Sequence, residues 1–403
     1  MNNPFPLKRS HTALGSRPWA AGLLVAAFAV AIVAGCGGGG GSSTAAPSSF
    51  ARGTITGFGS VIVNGVAFDD SNASVTNDEG VAQARSALKL GMQVQIQGSA
   101  INKSTASATA STIEFGSEMV GPVADLNTTA GSFTVLGQKV VVSATTVFGD
   151  GLTGGLSALT AGAVVEVHAQ FDATANQFNA TRIELETGAT AFKLRGVVSA
   201  LDSTAKTFQI GAAVINFGGI AAADLPATLA NGMTVRVKVQ TTQVNGQWVA
   251  TSVKSGERKA EDSGESEVSG LITTFTSATS FKIGDVVVDA TNAAFPDGQA
   301  GVVLGANVEV EGPVVNGVLM ATKVTLEDAH ANDGNHGVEL RGPIAALTAT
   351  SFTLRGITVT FDGTTVFKNG VATDLAVGVV VEVKGAVGTD GTTVAAKSIE
   401  IKK

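Results

Sequence analysis

The feature that most constrains this chain is that it repeats itself. Phe133, Phe208, Phe281 and Phe352 recur in "SFTV", "TFQI", "SFKI" and "SFTL" at spacings of 75, 73 and 71 residues, and Val61 in "GSVIV" fills the same slot 72 residues before Phe133. A second marker, Gly91, Gly162, Gly232, Gly305 and Gly378, is followed three residues later by Val94, Val165, Val235, Val308 and Val381. A third marker closes each unit in "ASTI", "ATRI", "ATSV", "ATKV" and "AKSI", ending at Ile113, Ile183, Val253, Val324 and Ile399. Three markers in phase define five degenerate repeats of roughly seventy residues.

Alternation of apolar and polar residues dominates within a unit, so each unit is built from strands. In "FTLRGITVTF" a two-residue turn at Arg355-Gly356 sets Leu354 opposite Ile357 and Phe352 opposite Val359. A variable loop or short helix, such as "SALKLG" at Ser86 to Gly91, precedes a strand like "VGVVVEVKG", and "VAAKSIEI" closes the unit. Three strands, a loop, then two strands predict a small closed barrel of the OB type. A sandwich needs about seven strands, and solenoid rungs are much shorter than these units. The predicted fold is therefore all-β, a tandem array of five small OB-like barrels.

The predicted segments are a signal over 1–35, a tether over 36–50, and repeats over 51–116, 117–186 and 187–257. A charged linker over 258–266, a repeat over 267–328, a His/Asp linker over 329–337 and a repeat over 338–403 complete the chain. The two linkers lie in "KSGERKAEDSGESE" and "EDAHANDGNHG", which are polar and rich in breakers. The other junctions are shorter and more apolar, which predicts closer packing among units one to three.

At the N-terminus, Lys8, Arg9 and Arg17 precede the apolar run "WAAGLLVAAFAVAIV", which ends in "VAGC" at Val33 to Cys36. A basic segment, a short apolar run and small residues before a cleavage point describe a secretory signal. The run is too short and alanine-rich for a comfortable membrane span. "VAGC" resembles the lipobox of bacterial lipoproteins, and the resemblance implies cleavage before Cys36 and lipidation of its thiol. Gly37 rather than Asp after that cysteine favours the outer membrane by analogy. "GGGGGSSTAAPSS" then reads as a flexible tether. Cys36 is the only cysteine, so the body folds without an internal disulfide. Removing three basic residues from a net charge of −7 leaves −10, which argues against nucleic acid as a partner. Tyr is absent, so stacking surfaces would have to come mainly from Phe.

Candidate sites are few. Gly57 and Gly59 lead into an alternating strand that turns at Asn64-Gly65, which is a hairpin rather than a dinucleotide fingerprint. Asp69, Asp289 and Asp362 follow the second strand of their hairpins with Ser or Thr two residues on, the chemistry of an Asx turn. His330 and His336, with Asp328 and Asp333, form a weak candidate zinc or nickel site, because the linker lacks the rigid spacing a structural site wants and reads better as solvated chain. His168, in "VVEVHAQ" beside Glu166, is expected to be exposed. Ser86 to Lys89 matches Ser-x-x-Lys but lacks the accompanying Lys-Thr-Gly. Glu166, Glu309 and Glu382 alternate with core valines as a solvent face, and units one and three carry Gln95 and Arg236 in that slot. No catalytic residue and no cofactor are predicted.

"RGTITGFGSVIVNGVAFDDSNA", Arg52 to Ala73, resembles the start of the domain of unknown function 5666 family, with unit one the best match. The resemblance implies an exported protein with tandem β-rich repeats and brings no site residues. The expectation is a non-enzymatic lipoprotein, anchored to the membrane through Cys36, that binds or scaffolds an envelope protein or glycan. The alternatives are an envelope hydrolase and metal capture by the His330–His336 linker.

Overall fold

The computed structural model describes residues 48–149, 151–327, 337–388 and 390–402. Barrel one contains β1 (Ser48–Phe58), β2 (Val61–Val63), β3 (Val66–Asp69), β4 (Ser74–Asn77), β5 (Gln93–Ser99) and β6 (Ser107–Phe115). β1 pairs antiparallel with β2, and β2 with β3. β3 then runs parallel to β6, β6 antiparallel to β5, and β5 closes back on β1. This closed circuit, with one parallel pairing, is the predicted OB-type barrel.

The circuit recurs four times. Barrel two uses β7 (Met119–Asn127), β8 (Ser132–Val135), β9 (Gln138–Val141), β10 (Val147–Phe148), β11 (Val164–Asp172) and β12 (Gln177–Leu185). Barrel three uses β13 (Phe192–Asp202), β14 (Thr207–Ile210), β15 (Ala213–Asn216), β16 (Thr234–Val244) and β17 (Gln247–Ser255). Barrel four uses β18 (Glu265–Ser277), β19 (Ser280–Ile283), β20 (Val286–Asp289), β21 (Asn307–Glu311) and β22 (Val314–Val315), with its closing strand split into β23 (Val318–Met320) and β24 (Lys323–Leu326). Barrel five uses β25 (Val338–Leu347), β26 (Ser351–Leu354), β27 (Ile357–Thr360), β28 (Val366–Lys368), β29 (Val380–Val387) and β30 (Thr393–Ile401).

The repeat markers now have physical causes. The marker phenylalanines and Val61 are buried, each inside its own barrel. Val61 pairs with Phe68 and Val63 with Val66, which places all four in the core of barrel one. Asn64-Gly65, Leu136-Gly137 and Arg355-Gly356 take positive φ at both turn positions, the hairpin geometry whose twist matches that of the strands. The marker glycines Gly91, Gly162, Gly232, Gly305 and Gly378 have φ of 82° to 90°. Each donates its N–H to a carbonyl of the first strand of its barrel, at Ile55, Val123, Val198, Ile272 or Ile344. A left-handed position repeated five times selects glycine. The variable loops carry 3-10 turns, including Arg85–Ala87 within the predicted "SALKLG" segment.

The barrels are not beads on a string. β1 pairs in parallel with β18 through Ser49–Arg52 and with β25 through Gly57 and Phe58. β7 pairs antiparallel with β13. Barrels one and five share one apolar cluster, barrels two and three share another, and Phe50 of β1 packs in the core of barrel four. Of the expected close packing of units one to three, barrels two and three share strand pairing and a core, and barrel one meets them through Arg182 to the Leu90 carbonyl and Lys193 and Arg236 to Asp78. Barrel one also pairs its first strand with barrels four and five. Nine residues, 256–264, separate β17 from β18, and extended chain of that length reaches about 30 Å, enough to return barrel four to barrel one. Among the described residues no helix is long and apolar enough to cross a membrane.

Candidate functional site

Barrel strands alternate core and polar residues, so a polar outer face is buried only where another barrel covers it. Two such places concentrate chemistry. The first is an ionic junction of barrels one to four. Glu118, just before β7, receives Arg195 of β13 at 2.9 Å and Arg258 of the charged linker at 2.5 Å. Arg195 also pairs with Asp285 in the turn between β19 and β20, and Asp285 accepts the backbone N–H of Arg258 at 3.0 Å. Asp78, beyond β4, collects Arg236 at 3.4 Å and both Lys193 and Arg258 at 3.5 Å. Arg52 of β1 donates to the Arg258 carbonyl at 3.3 Å. Burial alone would lift the Glu118 carboxyl, but Arg195 and Arg258 outweigh it and hold the group at about 2. Burial lowers the Arg52 guanidinium to about 10, opposed by Asp285 and aided by Arg195 and Arg258. The charged segment between units three and four is therefore an interbarrel clamp, with Ala260 buried and Arg258 half-buried against Glu118.

The second place is a cleft of about 660 Å3 where barrels one, two and five meet. Its wall on barrel two carries Glu166, Arg182, Glu184 and Glu186, and its other walls include Arg85 and Arg355. His168 lies behind this wall, opposite Arg182 in the β11–β12 ladder. The expectation that His168 is exposed is overturned, since its exposure is 0%. Two causes act together. The β11–β12 register shifts between His168 and Ala169, which breaks the strand's alternation, and the loop before β5 covers the ribbon. That cover is fastened by Arg182 donating to the Leu90 carbonyl at 3.0 Å. Burial first, then the Lys193 charge, drops the imidazole to about 3, so the ring is neutral at physiological pH. Burial, followed by Glu166 and Glu184, raises the Glu186 carboxyl.

Glu166 and Glu309 also depart from the solvent face expected of them. Both are half-buried, Glu166 in the cleft wall and Glu309 in a group with Glu267 and Glu311 at the edge of barrel four. Burial first, then Glu267 and Glu327, pushes Glu309 up to about 9. Glu267 rises to about 7 through burial and Glu311, against Lys323. Glu382 is likewise half-buried and pairs with Lys402 at 2.9 Å.

The remaining predicted residues sort plainly. Asp69, Asp289 and Asp362 accept backbone N–H groups from Ser71, Thr291 and Thr364 at 3.0, 2.9 and 2.8 Å, which are Asx turns. Ser86 and Lys89 both reach the cleft, both are exposed, and no hydrogen bond joins them. Cys36, Asp328, His330, Asp333 and His336 lie outside the described residues.

The family profile described as "Domain of unknown function (DUF5666)" matches residues 120–184, 195–254, 269–325 and 341–400. The chain belongs to this family. The matched DUF5666 segments fall in barrels two to five, in phase with the tandem repeats that the sequence resemblance implies. No curated protein matches. Among solved structures, "drosophila Unr CSD456" aligns at 13% identity over 53% of this chain and 98% of its own, with a TM-score of 0.14. The barrel assignment for the DUF5666 repeats rests on their strand pairing and not on that alignment. The clamp and the cleft lie between repeats, so a single DUF5666 unit read alone contains neither. Their sequence signal is weak: acids and bases on strands, turns and a linker, whose partners are as far away as Asp78 is from Arg258.

Proposed function

We propose that this DUF5666 chain is an envelope lipoprotein, anchored in the membrane through Cys36, whose five barrels form a non-enzymatic body for binding or scaffolding an envelope protein or glycan. One observation carries the reading. Core and turn positions repeat in all five barrels, while the outward slot of the fourth barrel strand changes from Gln95 to Glu166, Arg236, Glu309 and Glu382. Selection for a repeated reaction would keep a reactive group there, whereas selection for a shaped surface keeps the frame and varies the face. The "VAGC" motif, the tether and the acidic balance support export and anchoring over nucleic-acid contact. The cleft between barrels one, two and five supplies a concave surface with both charge signs and the exposed Leu185.

Two measurements test this. Cys36→Ser is expected to move the protein out of the membrane fraction or stall its processing, and unchanged mass and fractionation would refute anchoring. A photo-cross-linker at Leu185 is expected to capture a discrete partner in intact cells that the same group at Val287 of barrel four does not. Identical background at both positions would count against a binding cleft.

A further inference from the structure

A buried polar group without a hydrogen-bond partner is costly and is seldom left so in a native interior. His168 is the fullest case among the described residues, because it is 0% exposed and neither ring nitrogen has a partner. Its surroundings are not apolar. Glu166 lies two residues before it on β11, and Glu184 pairs with Glu166 across the ladder. One donor atom from each of Glu166, His168 and Glu184 lies within 4.8 Å of the others.

Two carboxylates and a neutral imidazole make a mixed nitrogen and oxygen donor set, which suits zinc and neighbouring first-row divalent ions. Zinc bonds of about 2.1 Å place tetrahedral ligands about 3.4 Å apart, so modest rotation of the two glutamate stems completes the approach. Glu166 and Glu184 also line the cleft, so an ion held by this set lies at the cleft wall. An anionic ligand fits less well, because Glu166, Glu184 and Glu186 outnumber Arg182 on that wall. Arg182 engages Glu184 through Oε1, which leaves Oε2 for a metal. The equivalent positions elsewhere hold Gln95, Gln97 and Glu114; Arg236, Lys238 and Lys254; Glu309, Glu311 and Thr325; and Glu382, Lys384 and Glu400. Barrel two alone combines an imidazole with two carboxylates at these positions.

We propose that Glu166, His168 and Glu184 bind one divalent transition-metal ion of the zinc class at the seam between barrels one and two. The test is calorimetry of zinc chloride into the full chain in detergent, with His330→Ala/His336→Ala as background so that linker imidazoles do not contribute. One-site binding is expected in that background, weakened at least about 100-fold by either His168→Gln or Glu166→Gln. Cobalt added in place of zinc is expected to give visible absorption bands that both variants lose. Absence of binding in the linker background, or equal affinity in the variants, overturns the proposal. If His168→Gln does not fold, Glu166→Gln, altered on a half-buried side chain, decides by itself: retained affinity overturns the site, and lost affinity with an unchanged melting temperature supports it.

Discussion

Gly57 illustrates what a single residue decides in this molecule. A Cβ built there would sit 2.2 Å from the Glu339 carbonyl oxygen, because β25 runs directly against β1 at that point. The Gly57 and Gly59 pair is thus neither a phosphate loop nor only a hairpin lead-in; Gly57 lets two barrels share a sheet. Gly57→Val is expected to destabilise the body by about 2–4 kcal/mol through overpacking, with proteolysis first releasing barrel five. Limited digestion and thermal melting would check both. Val61, Val63, Val66 and Phe68 were legible as a core set because strand alternation is local and every second residue shares a face. His168 was not, because its burial depends on a shifted register and on a loop 78 residues earlier in the chain, where Leu90 accepts Arg182.

At the scale of strands, a two-residue period and glycine-bearing turns wrote the barrel into each repeat, so its pairing order could be anticipated. What alternation cannot report is which outer faces another barrel will cover. The pair of strands β18 and β21 shows the consequence, since Glu267 and Glu309 stand at about 7 and about 9 instead of the ordinary 4.5. Above pH 4.5 the unfolded chain has lost protons that these folded groups retain, so stability falls as pH rises through 7 towards 9. Melting temperature measured from pH 5 to pH 9 is expected to decline in the wild type. Glu309→Gln is expected to flatten that decline and to exceed the wild type at pH 9 by about 1 kcal/mol or more. Parallel curves for the two proteins would show that the acids on this edge are not strained.

At the scale of the whole molecule, the barrels are joined by two parallel strand pairings, one antiparallel pairing and the Glu118–Arg195–Arg258–Asp285 clamp. None of these contacts was visible in the repeat pattern, because the clamp joins residues as far apart as Glu118 and Arg258 through a segment that reads as an interdomain linker. Glu118→Gln leaves buried arginines short of a counter-charge and is expected to cost about 3–5 kcal/mol at neutral pH. Since the carboxylate is held at about 2, its contribution is full above 4.5 and is lost as pH falls towards 2, so the difference from wild type should shrink with acid. The claim that five barrels form one fixed body is tested most directly by residue-resolved hydrogen exchange along Ser49–Arg52. Alternate amides of this stretch point to β5 within the barrel, and the others point to β18 of barrel four. Slow exchange at both sets is the predicted result, and slow exchange confined to the amides facing β5 would contradict it.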